Sequence, residues 1–118
     1  MKLTCFDLIA AFILAILFGL ALACNGAEQS AHPTIMAVTA AWCPPCKQAH
    51  AIIEAAEQAG ELAGISIIYV DIDRYPALAK KYNVTSVPTF FVGVNKIELR
   101  THYVHIAIAK AKELRDDN

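Results

Sequence analysis

The chain has almost no net charge: ten Lys and Arg stand against eleven Asp and Glu, giving −1 at pH 7. That balance would not gather a polyanion, so no nucleic-acid partner is expected. There is no second Cys-x-x-Cys pair. Zinc sites commonly take two such pairs, or cysteines joined by suitably spaced histidines. Here His50 alone follows the single pair by four residues, while His32, His102 and His105 show no ligand spacing. No metal and no other cofactor is expected. Internal repeats and low-complexity tracts are missing too, which leaves room for one small domain in 118 residues.

Charge is also missing from Leu8 to Ala23, "LIAAFILAILFGLALA". The whole chain is 57% apolar, above the usual range of about 45–50%, and much of the excess lies in this run. Lys2 in front, the apolar run and the small residues closing it have the outline of an export signal. The run is shorter than the roughly 20 residues a spanning helix needs. Phe6 extends it across Asp7, so an uncleaved anchor stays open as a reading of 1–23. Ala21-Leu22-Ala23 suits ordinary signal cleavage. With Cys24 behind it, the same stretch resembles a bacterial lipobox, in which the cysteine is lipidated. Its Ala21 stands where a larger aliphatic residue is usual. On the lipobox reading Cys5 leaves with the signal, Cys24 carries lipid, and only Cys43 and Cys46 remain as thiols. The expected location is outside the cytoplasm, in a periplasm or cell envelope, with tethering through Cys24 or the N-terminal segment. Residues 24–33 are polar and read as a linker, about 30 Å long at about 3.3 Å per residue.

From 34 to 118 the pattern is regular. "TIMAVT" (34–39) is an apolar run of strand length. From Pro44 to about Ala59 the spacing of Ala49, Ile52, Ile53 and Ala56 predicts a helix. "ISIIYVDID" (65–73) predicts a second strand, and "YPALAKKY", with Pro76 in its first turn, a short helix. "TFFVGV" and "IELRTHY" predict an antiparallel hairpin turning tightly at Asn95-Lys96, with Asn95 taking positive φ. Ala107, Ile108, Ala111 and Leu114 predict a closing helix from Ile106 to about Leu114. The order implies an α/β fold. A right-handed strand-helix-strand unit has antiparallel strands added to the same sheet, and helices cover both faces.

"WCPPCK" (42–47) falls where the first strand ends and the first helix begins. Unpaired N–H groups and the positive end of the helix dipole stabilise a thiolate there. The Cys43 thiol is therefore expected to ionise below the free value of about 8.5. Pro44 and Pro45 offer no N–H; they stiffen the loop and preset φ for the first turn. Donors must come from deeper in the turn, Cys46 among them. Cys46 is expected to be the less exposed thiol. Cys43 then captures a partner sulfur and Cys46 resolves the mixed disulfide. A structural staple is a weaker reading, because the chain-entropy gain of a disulfide grows with its loop and this loop is tiny. Trp42 beside the pair is expected to shield it and offer a flat contact surface.

"AAWCPPCK" with "TSVPTF" downstream resembles the thioredoxin superfamily over about Thr34 to Leu114. The resemblance implies a central mixed four-stranded sheet flanked by helices. It implies a cis Pro88 facing the cysteines, and a Val87 backbone that pairs with an extended stretch of the partner. It implies protein disulfide or dithiol substrates, an upstream thiol donor or acceptor, and Pro44 and Pro45 as residues that tune the redox preference. Between Cys24 and Thr34 there is no room for the extra strand and helix of the familiar thioredoxins. The second strand is accordingly expected at the sheet edge, where bare apolar backbone is usually covered; the linker or a partner chain would do so. Ala37 and Tyr69 stand where the family carries an aspartate and a lysine, so proton transfer from Cys46 has no evident acceptor. Asp71 and Asp73 qualify only if the strand end turns inward. The chain lacks the large helical insertion of the main periplasmic oxidants, which favours the reductase direction. A peptide-binding module with a permanently oxidised pair, and a metal-handling dithiol, stay open beside the enzyme reading.

Overall fold

A computed structural model describes residues 31–118. The expected signal or anchor at 1–23, the lipidation candidate Cys24 and most of the linker lie outside the described residues. Seven elements follow in chain order: β1 (Thr34–Thr39), α1 (Pro44–Gln58), β2 (Ser66–Asp71), α2 (Pro76–Lys81), β3 (Thr89–Gly93), β4 (Leu99–Thr101) and α3 (Val104–Asp116). The strands form one mixed sheet in the order β2-β1-β3-β4. β1 runs parallel to β2, with Ala37 opposite Tyr69, and antiparallel to β3, with Ala37 opposite Phe90. β3 and β4 pair antiparallel. β2 is an edge strand, as expected.

The two-residue period of the strands sorts their side chains between two cores. On one face Ile35, Ala37, Phe90 and Val92 meet Ala49 and Ile53 of α1 and Val104, Ala107, Ile108 and Ala111 of α3. These are the positions at which each helix is apolar, so the stripe on the helix is the contact with the sheet. On the other face Val38, Val70 and Phe91 are covered by Leu78 of α2, with Met36, Tyr82, Val84 and Val87 around them. Helices thus cover both faces, but the second is covered by a single short helix.

Two expectations need correction. The β3–β4 connection is not a tight turn at Asn95-Lys96. Pairing stops at Val92↔Leu99, and the Glu98 N–H closes the connection by donating to the Val92 carbonyl at 2.8 Å. Asn95 does not take positive φ; among the described non-glycine residues that conformation belongs to Asn83 (φ 50). The missing glycine partner after Asn95 explains the outcome, since a two-residue turn of that kind needs positive φ at both central positions. α3 also begins two residues before the predicted Ile106, because Val104 is buried and joins the apolar stripe. Among the described residues no helix is long and apolar enough to cross a membrane.

Candidate redox site

Cys43 and Cys46 are joined as a disulfide, with their Cα atoms 5.3 Å apart. Cys43 is the N-cap of α1, extended at φ −93 and ψ 110, and Pro44 and Pro45 fill the first helical positions. Because the prolines have no N–H, the first available donor is Cys46, whose N–H points to Cys43 Sγ at 3.2 Å. The helix therefore turns its first free amide on the first sulfur, as the sequence led us to expect. The Cys43 N–H in turn donates to the Ala40 carbonyl at 3.2 Å, which closes the loop from β1 into α1.

Cys46 is the less exposed of the two, as expected, but the contrast is small and both are buried. Cys43 is 3% exposed and Cys46 1%. Ile72 and Val87 pack against the cluster that the two cysteines form with Ala40. A further asymmetry is electrostatic: Cys43 Sγ is the acceptor of the helix amide. The Val87–Pro88 bond is cis, and the Val87 carbonyl oxygen lies 3.8 Å from Cys43 Sγ.

His102 holds this loop, a role its sequence context did not announce. Its Nδ1 lies 3.0 Å from the Pro88 carbonyl and 3.2 Å from Thr89 Oγ1. A carbonyl only accepts, so Nδ1 carries the hydrogen. Thr89 Oγ1 donates to the Ser86 carbonyl at 2.6 Å and is free to accept from the ring. Trp42 is 65% exposed, so its indole is a surface platform rather than core. Its Nε1–H donates to Asp73 Oδ2 at 3.0 Å, and the Asp73 N–H donates to Asp71 Oδ1 at 2.8 Å. Asp73 thus faces outward to the tryptophan. Asp71 instead lines a cleft behind Cys46. Among the described residues no three His, Cys, Asp or Glu side chains are grouped to hold a metal.

A β-α-β unit extended by an antiparallel pair, with a cysteine couple at its first helix N-terminus and a cis proline beside it, defines a thioredoxin-type architecture. Residues 25–113 match the Thioredoxin family model, and the chain belongs to that family. A thioredoxin of Chlamydia trachomatis is 43% identical over 53 residues, covering 45% of this chain and 50% of the relative. A Streptomyces clavuligerus thioredoxin is 39% identical over 64 residues, covering 54% and 58%. The chain thus spans about half the length of the curated relatives it matches. The crystal structure of the germline-specific thioredoxin Deadhead from Drosophila melanogaster superposes with a TM-score of 0.62 at 21% identity. That match covers 72% of this chain and 83% of the other, and it speaks to the fold.

Proposed function

We propose that the chain is a thiol–disulfide oxidoreductase that acts on protein disulfides outside the cytoplasm, in the reducing direction. The observation that carries this reading is the Cys46 N–H aimed at Cys43 Sγ from the start of α1. In the reduced protein that amide and the helix dipole stabilise the Cys43 thiolate. The thiolate attacks a partner disulfide: a Cys43–partner S–S bond forms, the partner's own S–S bond breaks, and one partner thiolate leaves. Cys46 loses its proton and attacks Cys43 Sγ. The intramolecular disulfide forms, the mixed one breaks, and the second partner thiolate is released. Two electrons pass from the pair to the partner, and an upstream dithiol must return them. Trp42, next to Cys43 in the chain, and the Val87 backbone, whose carbonyl is near Cys43 Sγ, would hold an extended segment of the partner.

Turnover of insulin disulfides by the full chain tests the activity, with Cys43→Ser expected to abolish it. Cys46→Ala is expected to leave a stable mixed disulfide that breaks on adding dithiothreitol. Inert thiols and no trapped partner would sink the proposal. The burial of both sulfurs favours a second reading, a peptide-binding module whose pair stays oxidised, and the same two assays separate the readings. The charge-free run from Leu8 to Ala23 and the following Cys24 support export with lipid attachment. Mass measurement of the N-terminus from an envelope fraction checks this: a diacylglyceryl Cys24 is expected, and an intact Met1 would reject cleavage.

A further inference from the structure

Cys46 is almost wholly buried, yet the resolving step requires its thiol to lose a proton. Ala37 of β1, fully buried on the α1 face of the sheet, has no polar side-chain atom. The route outward is a cleft of about 430 Å³ behind the sulfur, lined among others by Thr39, Cys46, His50, Tyr69 and Asp71. His50 follows Cys46 by four residues on α1. At that spacing two side chains share a helix face, with their Cβ atoms about 5–6 Å apart. The imidazole is stacked on Tyr69 of β2, ring centroids 4.3 Å apart and planes 19° from parallel. The stack fixes its plane at the wall of the cleft.

We propose that His50 is the base that takes the Cys46 proton, directly or through one water in this cleft, as the mixed disulfide is resolved. This rests on the oxidoreductase reading above. The balance is simple. As the Cys46–Cys43 bond forms and the Cys43–partner bond breaks, the Cys46 proton moves to the His50 imidazole, and the partner leaves as a thiolate that can take the proton back. Imidazole suits the task because it exchanges a proton near neutral pH. Asp71 lines the same cleft, but its Oδ1 already accepts the Asp73 N–H. The charged and titratable groups around His50 are Lys47, Glu54 and Glu57 on α1, Tyr69 and Asp71 on β2, and Arg74 and Tyr75 beyond it. Burial, then Glu57 and Glu54, push the Tyr69 phenol up from its ordinary value. The ring under the imidazole is therefore a neutral phenol through the neutral range.

The test uses the full chain with Cys5→Ser and Cys24→Ser, reduced and mixed with dithionitrobenzoate disulfide. One coloured thiolate is released when Cys43 attacks and a second when Cys46 resolves. His50→Gln is expected to leave the first phase unchanged and to slow the second about a hundredfold. It should also change the pH dependence of the second phase, leaving that of the first as it was. His50→Phe keeps an aromatic ring on Tyr69 without a base; it is expected to be as slow as His50→Gln, and added imidazole should speed the second phase of His50→Gln. A second phase with wild-type rate and pH profile in His50→Gln overturns the proposal. So does full rescue by His50→Phe, which would make the ring a packing element. Loss of the first phase in the unmutated pair would instead overturn the oxidoreductase reading, and this inference with it.

Discussion

Ala37 and Tyr69 face each other across β1 and β2. Ala37, fully buried, needs no partner, while Tyr69 is half exposed and lies against His50. The folded state holds the Tyr69 phenol above its ordinary value of 10.0, first through burial and then through Glu57 and Glu54. Between the unfolded and folded values the unfolded chain binds fewer protons, so stability falls as pH rises. This contribution is complete below the unfolded value and is lost as pH climbs through the folded one. The stability difference between wild type and Tyr69→Phe should be flat near neutrality and move in the variant's favour above about pH 10. Urea titrations at neutral and alkaline pH measure it, and a difference independent of pH would refute the assignment. At this scale the spacing of Cys43 and Cys46 made that pair legible, while Val87 and Pro88 were reached only through the family resemblance. His50 and His102 were not legible as parts of the site. Each acts on a neighbour brought to it by the sheet, Tyr69 and the Pro88 carbonyl respectively, and a one-dimensional pattern holds no trace of that contact.

The elements themselves follow the same division. α1 and α3 were readable because their burial repeats with the helical period, and β1 because an apolar run between turn residues has few other uses. The β3–β4 connection, which lacks a glycine after Asn95, uses the glycine at 93 instead. A Cβ built there would overlap the Lys96 carbonyl oxygen, so the loop closes over a bare backbone and needs no tight turn at its tip. Gly93→Ala should force that carbonyl away and destabilise the protein by about 1–3 kcal/mol. Urea unfolding measures the loss, and wild-type stability in the variant would contradict the close approach. Side chains that tie one connection to a distant element were equally invisible. Arg115 of α3 donates to the carbonyls of Glu61 and Ala63 at 2.8 and 3.1 Å, holding the α1–β2 connection. Arg100 of β4 reaches the Asn83 carbonyl at 2.8 Å, just where the backbone turns left-handed after α2.

For the whole molecule, folding and redox preference are two sides of one cycle. The oxidised pair closes a loop of sequence separation 3. By chain entropy so small a loop destabilises the unfolded oxidised chain by only about 2 kcal/mol. Against this, the reduced folded protein gains from the Cys43 thiolate at the helix start, typically about 0.3–1 kcal/mol from the dipole. The loop contribution is the larger, so the folded oxidised form should be the more stable one, by about 1 kcal/mol. Because about 30 mV corresponds to 1.4 kcal/mol for two electrons, folding should lower the potential of the pair by about 20 mV. A lower potential makes the dithiol the better donor, which is the direction proposed for the activity. Urea unfolding of the oxidised and reduced proteins gives one side of the cycle. Glutathione titration of the folded and urea-unfolded pair gives the other, and the two must agree. A reduced form that outlasts the oxidised one in urea, with a potential raised on folding, would reverse the direction: the helix start would then hold the thiolate more strongly than the loop constrains the disulfide, and the protein would oxidise its partners.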